Sequence, residues 1–336
     1  MKAALPVPPH SLSVVVPLYN EEDNVAPLVK RVHEALADYQ NPWELVLVDD
    51  GSSDATVERA AQATREYGAH VRTVELTRNF KQTAAMQAGV DAARGDVIVT
   101  MDGDLQNDPI DIPRMVARLL NEDLDLVAGW RKNRQDGLFL RKIPSKIANK
   151  LIARMTGVHL RDYGCSLKAY RASVIKQVRL YGEMHRFIPA WMATVTTPRR
   201  IAQEATTHHP RTAGVSKYGI SRTFRVILDL IAVYFFMRFR ARPGHFFGGI
   251  GLGVTAISGL VLTWLAWVKF GLGESIGSRP LLIVGIGGLI AGVHFITTGV
   301  LAELLARIYF ESGTIRSYSA RQAPPLAADE GWRKAA

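Results

Sequence analysis

Residues Asp96–Pro109 read DVIVTMDGDLQNDP. Val97–Met101 is an apolar run of strand length. It closes on two carboxylates, Asp102 and Asp104, with Gly103 between them. That spacing lets both carboxylates reach one hard cation, and the glycine lets a ligand approach closely. Carboxylates that serve a phosphorylated ligand need a divalent cation between them, because otherwise they repel it. Mg²⁺ or Mn²⁺ held by carboxylate and pyrophosphate oxygens is the expected chemistry. A D-x-D alone is a common coincidence, but here its neighbours make it specific. The runs SLSVVVPLYN (11–20) and WELVLVDD (43–50) also end in acidic turns, PLYNEEDN (17–24) and DDGSSD (49–54).

Two further strand runs are VRTVEL (71–76) and LDLVAG (124–129). Helix-period stretches separate the strands: Asp23–Tyr39, Asp54–Tyr67, Lys81–Ala93 and Ile112–Asn121, with Asp23 and Asp54 as candidate N-caps. Strands alternating with helices predict an α/β fold with a mostly parallel, Rossmann-like sheet covered on both faces. Ligands of such sheets sit beyond the carboxyl ends of the strands, where the acidic turns fall. No G-x-G-x-x-G follows the first strand and no G-x-x-x-x-G-K-[ST] occurs, which argues against a dinucleotide-binding domain and a P-loop.

The 336 residues are 48% hydrophobic and 21% charged, which excludes a mainly disordered chain. The net charge of +10 suits nucleic acid, anionic lipid or a phosphorylated substrate. Nucleic acid is disfavoured, since the cations gather near the expected membrane face without interleaved aromatics. The single cysteine, Cys165, excludes an internal disulfide framework and reads as a small buried residue.

Hydrophobicity is concentrated late, in uncharged runs at about 246–268 and 281–302. Each has slightly more than the ~20 residues a helix needs to cross ~30 Å of hydrocarbon. Arg238, Arg240 and Arg242 precede them and Arg307, Arg316 and Arg321 follow, whereas the intervening loop holds Lys269 and Arg279. The positive-inside rule places both outer flanks in the cytoplasm. MKAALPVPPH lacks a continuous apolar stretch, so no signal peptide is expected. The expected organisation is an N-terminal tail (1–10), a cytoplasmic catalytic domain (11–220), a juxtamembrane amphipathic helix (221–243), two transmembrane helices (244–310) and a cytoplasmic tail (311–336). Arg141–Met155, with apolar residues every fourth position and a basic face, is a second candidate for lying in the headgroup region.

Together VVVPLYNEEDN, VDDGSSD, TRNFKQTAAMQAG, MDGDLQNDP and HHPRTAGVSKYG resemble family 2 glycosyltransferases of the GT-A fold. The likeness is to the dolichol-phosphate mannosyltransferase-like and bacterial polyprenyl-phosphate branch, and it covers about Ser11 to Phe310. One departure is Lys81, where many relatives have glycine. The resemblance implies that Pro17, Tyr19 and Glu21 line a nucleotide pocket and that Asp49 and Asp50 contact base and ribose. It implies that Asp102 and Asp104, with Gln106 close by, hold the metal and the donor pyrophosphate. Arg131 and Arg141 match phosphate-binding positions, and Arg211, Ser216 and Lys217 match a phosphate clamp for acceptor and donor.

The activity so implied is inverting transfer from a nucleotide-sugar (UDP- or GDP-sugar) to a polyprenyl phosphate at the plasma membrane. A phosphate monoester is mostly dianionic at neutral pH, so such a nucleophile needs cations to hold it and no general base. On that reading Asp102, Asp104, Arg131 and Arg211 carry the catalysis. The arginines are expected to stand unpaired without substrate and to matter little for folding. A processive polysaccharide synthase shares the fold, but its Q-x-x-R-W motif and extra spans are missing here. A non-catalytic membrane scaffold is disfavoured by the intact Asp102, Asp104, Arg131 and Arg211. A homo-oligomer is compatible with the sequence. His185 and Arg186 are placed near the donor sugar or in the structure with equal weight, and adjacent His208 and His209 are not expected to form a metal site.

Overall fold

The apolar runs become strands because β-branched residues pack well on a pleated, doubly covered surface. In the computed structural model, residues 7–131, 152–154, 156–209 and 243–312 are described. The chain runs β1 (Leu12–Leu18), α1 (Glu22–Ala35), β2 (Trp43–Asp49), α2 (Thr56–Tyr67), β3 (Val71–Glu75), α3 (Gln82–Ala92), β4 (Val97–Thr100), α4 (Ile112–Asn121) and β5 (Leu126–Arg131). Then follow β6 (Lys168–Arg171), α5 (Ala172–Ile175), α6 (Ile188–Met192) and β7 (Ile201–Thr206). Every strand and helix expected within 11–131 is present. Strands β6 and β7 are additions that the sequence reading did not foresee.

The seven-stranded sheet has the order β3-β2-β1-β4-β6-β5-β7. Only β6 runs antiparallel, to β4 and to β5. The order reverses direction between β1 and β4, with β2 on the other side of β1, so a crevice opens above β1. The acidic turns after β1, β2 and β4 meet at that point. β1, β2 and β4 are almost wholly buried, with Val14, Val15, Leu45, Leu47, Val97 and Val99 inaccessible.

The expected N-caps shift. Helix α1 starts at Glu22, so Asp23 lies in its first turn, where a negative charge suits the helix dipole. Helix α2 is preceded by Ala55, and Asp54 instead accepts from the Thr56 N–H (3.1 Å) and hydroxyl. Glu22 and Asp54, with Asn20, lace the two turns together. The Glu22 N–H donates to Asp54 Oδ2 (3.2 Å), the Ala55 N–H to Glu22 Oε2 (2.9 Å), and the Ser53 N–H to Asn20 Oδ1 (2.9 Å).

The described residues after 242 form a separate unit of two helices, α7 (Pro243–Phe270) and α8 (Pro280–Ser312). Both are long and apolar enough to cross a membrane, at the positions the sequence indicated. They meet along a seam of small residues. A Cβ added to Gly251 would lie 2.7 Å from the Gly292 carbonyl oxygen, and one on Gly288 would lie 2.2 Å from Ser258 Oγ. Without a hydrophobic drive between helices in lipid, such close backbone approach is what holds a pair together. The 221–243 segment and most of 141–155 lie outside the described residues.

Helix α3 brings its amino end to the crevice by lying flat on the sheet, and Gly89 permits this. A Cβ there would be 2.2 Å from Val15 Cγ1 and 3.0 Å from Val48 Cγ2. Gly89→Ala should therefore destabilise by about 1–3 kcal/mol through overpacking, seen as a fall of several degrees in the melting temperature of the purified protein. An unchanged melting temperature would show that α3 is not seated as described.

Candidate active site

The site is built at the carboxyl ends of β1, β2 and β4. Asp102 and Asp104 lie just past β4, both half-buried. Burial pushes the Asp102 carboxyl above the ordinary carboxylate range, and the neighbouring Asp104 charge adds to this, while the Ser166 hydroxyl, Lys168 and Arg131 act the other way. Gln82, the first residue of α3, donates its side-chain amide to Asp102 Oδ1 at 2.8 Å. The Gln106 N–H donates to Asp104 Oδ1 (3.2 Å), and the Gln106 carbonyl accepts from the His209 N–H (2.8 Å). The expected trio of Asp102, Asp104 and Gln106 is thus one turn. Two carboxylates crowded until one resists ionisation fit a divalent cation, which would relieve both charges with hard oxygen ligands.

Gly103 has a packing reason that the spacing did not reveal. A Cβ at Gly103 would lie 2.5 Å from Leu18 Cδ2 and 3.4 Å from the Pro17 carbonyl oxygen. The glycine faces β1, so it is needed for packing the Asp102–Asp104 turn against that strand.

On the other side of β1, Asp49 and Asp50 are both buried but employed differently. Asp50 Oδ1 accepts from the Phe80 N–H at 2.7 Å and anchors the loop before α3. Burial holds its carboxyl above the usual range. Asp49 Oδ2 accepts from the N–H groups of Gly51 (3.0 Å) and Ser52 (3.1 Å), while its buried Oδ1 has no hydrogen-bond partner among the described residues. A buried acceptor without a donor is costly, so Asp49 is the carboxylate of the pair ready for a ligand N–H or O–H. Pro17 is half-buried in β1, Tyr19 is 40% exposed, and Glu21 Oε2 accepts from Asn24 Nδ2 (2.5 Å).

Lys81, the departure from the family pattern, has φ 78° and ψ 161°, a conformation that strongly favours glycine. It directly precedes Gln82 and Thr83. Thr83 bonds His185 Nδ1 at 2.6 Å. Burial pushes the His185 imidazole down to about 3, helped by the charges of Arg186 and Lys168, so this ring is neutral at working pH.

Arg131 ends β5, and it is paired. Its Nε and Nη2 donate to Asp162 Oδ2 (2.7 Å) and Oδ1 (3.0 Å) in a fork-to-fork contact. This corrects the expectation of an unpaired cation. Burial alone would raise the Asp162 carboxyl, but the Arg131 bonds and charge outweigh it and hold the group below its ordinary value. Beside this pair lies Lys168, fully buried, donating to the Cys165 carbonyl, with burial pressing its ammonium down. Asp162 and Lys168 were missed because R-D-Y-G-C-S-L-K carries no strand or helix period; only the pairing across β4, β6 and β5 gives it meaning. Cys165 is buried as expected, which pushes its thiol up. His209 Nε2 pairs with Asp108 Oδ2 (2.8 Å), and His208 Nδ1 bonds the His209 carbonyl (3.0 Å), so the two rings are engaged by different partners. Arg141, Arg211, Ser216 and Lys217 lie outside the described residues.

The family model described as glycosyl transferase family 2 matches residues 13–179. Over 317 residues the chain is 61% identical to the dodecaprenyl-phosphate galacturonate synthase of Rhizobium johnstonii, covering 94% of each. It is 35% identical over 333 residues, 96% of each, to the undecaprenyl-phosphate 4-deoxy-4-formamido-L-arabinose transferase of Pseudomonas fluorescens. The glucosyl-3-phosphoglycerate synthase of Mycobacterium tuberculosis, in complex with Mn²⁺, UDP and glucosyl-3-phosphoglycerate, matches at a TM-score of 0.51 and 19% identity. That match covers 68% of this chain and 80% of the other, and at this identity the likeness is one of fold.

The Arg131–Asp162 pair yields a test. Arg131→Ala leaves the half-buried Asp162 carboxylate uncompensated and should cost about 1.5–3 kcal/mol. Asp162→Asn should also destabilise at neutral pH. The folded Asp162 carboxyl is depressed, so its contribution is present above the ordinary aspartate value of about 3.9 and is lost as pH falls through the lower folded value. Denaturant titrations at several pH values should show the gap between wild type and Asp162→Asn closing on acidification. A gap that is constant or widens in acid would contradict the pairing.

Proposed function

The chain belongs to glycosyl transferase family 2, and we propose that it moves a uronic-acid sugar, galacturonate, from a nucleotide-sugar to a polyprenyl phosphate of the cytoplasmic leaflet. It is a glycosyltransferase of the polyprenyl-phosphate sugar synthase kind. The sugar is inferred from the 61% identity to the galacturonate synthase across 94% of both chains. The observation that carries the chemistry is the crowded Asp102–Asp104 turn beside the orphaned Asp49 oxygen, on either side of β1.

In this reading Asp49 accepts a hydrogen bond from the nucleotide while Pro17, Tyr19 and Glu21 line its pocket. Asp50 shapes that pocket by anchoring the Phe80 loop. Asp102 and Asp104 hold Mg²⁺ or Mn²⁺, with Gln106 adjacent. When bound, the cation would offset the charge gathering on the departing nucleoside diphosphate. Gln82 fixes the orientation of Asp102. Arg131, oriented by Asp162, keeps its remaining guanidinium edge for phosphate. Arg141, Arg211, Ser216 and Lys217 are assigned to the acceptor phosphate on their match to the family motif. The acceptor is already dianionic at neutral pH, so its oxygen attacks the anomeric carbon without a base, in one displacement that inverts it. The neutral His185 fits this scheme as a hydrogen-bonding group near the sugar, adding no charge.

Both apolar helices cross the plasma membrane in this reading, with the catalytic unit and both termini cytoplasmic. The arginines outside the two spans support that orientation.

Two measurements test the proposal. Purified protein with Mn²⁺, a panel of UDP- and GDP-sugars and dodecaprenyl or undecaprenyl phosphate should yield a polyprenyl-phosphate uronate by mass spectrometry. Asp104→Ala should abolish that product while leaving the melting temperature within a few degrees of wild type. Turnover in excess chelator would sink the metal role, and preference for a neutral sugar would sink the sugar assignment. In intact cells, a membrane-impermeant thiol reagent should label an engineered cysteine in the 271–278 loop and not one near residue 7; the reverse pattern would overturn the topology.

A further inference from the structure

The loop entering α3 joins the two carboxylate pairs of the crevice within three consecutive residues. The Phe80 N–H donates to Asp50 Oδ1 at 2.7 Å, and the Gln82 side-chain amide donates to Asp102 Oδ1 at 2.8 Å. Lys81 stands between them. Its backbone is pinned from both directions. The N–H donates to Asn79 Oδ1 (3.2 Å), and the carbonyl accepts from the N–H groups of Ala84 (3.0 Å) and Ala85 (3.2 Å). The result is φ 78° and ψ 161°, a region that belongs almost wholly to glycine. A lysine held there against its backbone preference points to a use for the side chain. Lys81 is exposed, and its ammonium has no hydrogen bond or ion pair among the described residues. Its charge still reaches Asp50, whose carboxyl it helps to lower against the larger effect of burial. Neighbouring cations among the described residues are committed elsewhere: Arg131 forks onto Asp162, Lys168 donates to the Cys165 carbonyl, and Arg186 meets Glu183 at 3.2 Å.

This inference rests on the reading that the donor is a nucleotide-activated galacturonate. A uronic acid brings a carboxylate into a crevice already lined by Asp49, Asp50, Asp102 and Asp104, beside the donor's own pyrophosphate. The divalent cation answers the pyrophosphate and the Asp102–Asp104 pair, so the added anion needs a cation of its own. A neutral sugar makes no such demand, and glycine at this position satisfies the backbone without strain. We propose that Lys81 binds the carboxylate of the donor's uronic acid and sets the preference for a charged sugar. An ammonium suits this task. It is a compact charge with three donors on a flexible stem, able to meet a carboxylate carried on a sugar ring without the fixed fork geometry of arginine. The strained backbone places the root of that stem between the residue tied to Asp50 and the residue tied to Asp102, where the sugar end of a bound donor has to lie.

UDP-galacturonate and UDP-galactose differ only in a carboxylate or a hydroxymethyl group on the sugar ring. The test is transfer from each to undecaprenyl phosphate by the purified full chain with Mn²⁺, together with calorimetric binding of UDP alone. Wild type should prefer the uronate. Lys81→Gly, which relieves the backbone, should melt no lower than wild type. It should reduce the ratio of kcat/KM between the two donors about ten- to a hundredfold, the range of one charge-assisted contact. Lys81→Gln should do the same, and Lys81→Arg should keep most of the preference, which separates the charge from the backbone. The Kd for UDP, which lacks the sugar, should change little. A ratio that is unchanged in Lys81→Gly and Lys81→Gln would overturn the proposal. So would an equal loss for both donors with weakened UDP binding, which would place Lys81 on the pyrophosphate. A wild type that does not prefer the uronate overturns instead the galacturonate reading on which the proposal rests.

Discussion

Two carboxylates one residue apart at a strand end repel each other, and the catalytic unit is organised around that repulsion. Asp102 and Asp104 are held together by forces outside themselves. Gly103 packs against Leu18, Gln82 holds Asp102 from α3, and the Gln106 N–H holds Asp104. Behind them the half-buried Arg131 and the buried Lys168 lower the cost of keeping Asp102 ionised.

The same logic separates structural from functional carboxylates elsewhere in the sheet. Glu44 is fully buried at the amino end of β2, and every neighbour answers it: Ser13 Oγ at 2.7 Å, the Arg94 N–H at 2.7 Å and Arg72 Nη1 at 2.6 Å. It needs nothing further. Asp49, at the carboxyl end of the same strand, has one oxygen satisfied by its own turn and one left over. The two ends of β2 thus differ in whether their carboxylate is satisfied by its described neighbours, independently of any motif.

Much of this was legible in the chain. Strands β1 to β5 and their helices follow from unbroken β-branched runs and from a period that switches to 3.6, because both are local signals. The apolar helices were equally plain. What escaped depends on contacts remote in sequence. β6 is four residues long, and β7 is an edge strand of mixed polarity, so neither stands out until β4 and β5 supply its partners. Asp162 looked like a loop residue, and Arg131 therefore looked unpaired; 31 positions separate the two members of one ion pair. Gly103 was legible as necessary, but its reason lies on β1, which spacing could not disclose.

The central claim is that Asp102 and Asp104 together hold a divalent cation. It is tested most directly by titrating Mn²⁺ into the purified protein and following the free ion by electron paramagnetic resonance, with no sugar or lipid present and again with UDP. The account predicts one site that tightens when UDP is added and that is lost, in both conditions, in Asp102→Asn and in Asp104→Asn. Mn²⁺ binding that survives unchanged in both variants would contradict it.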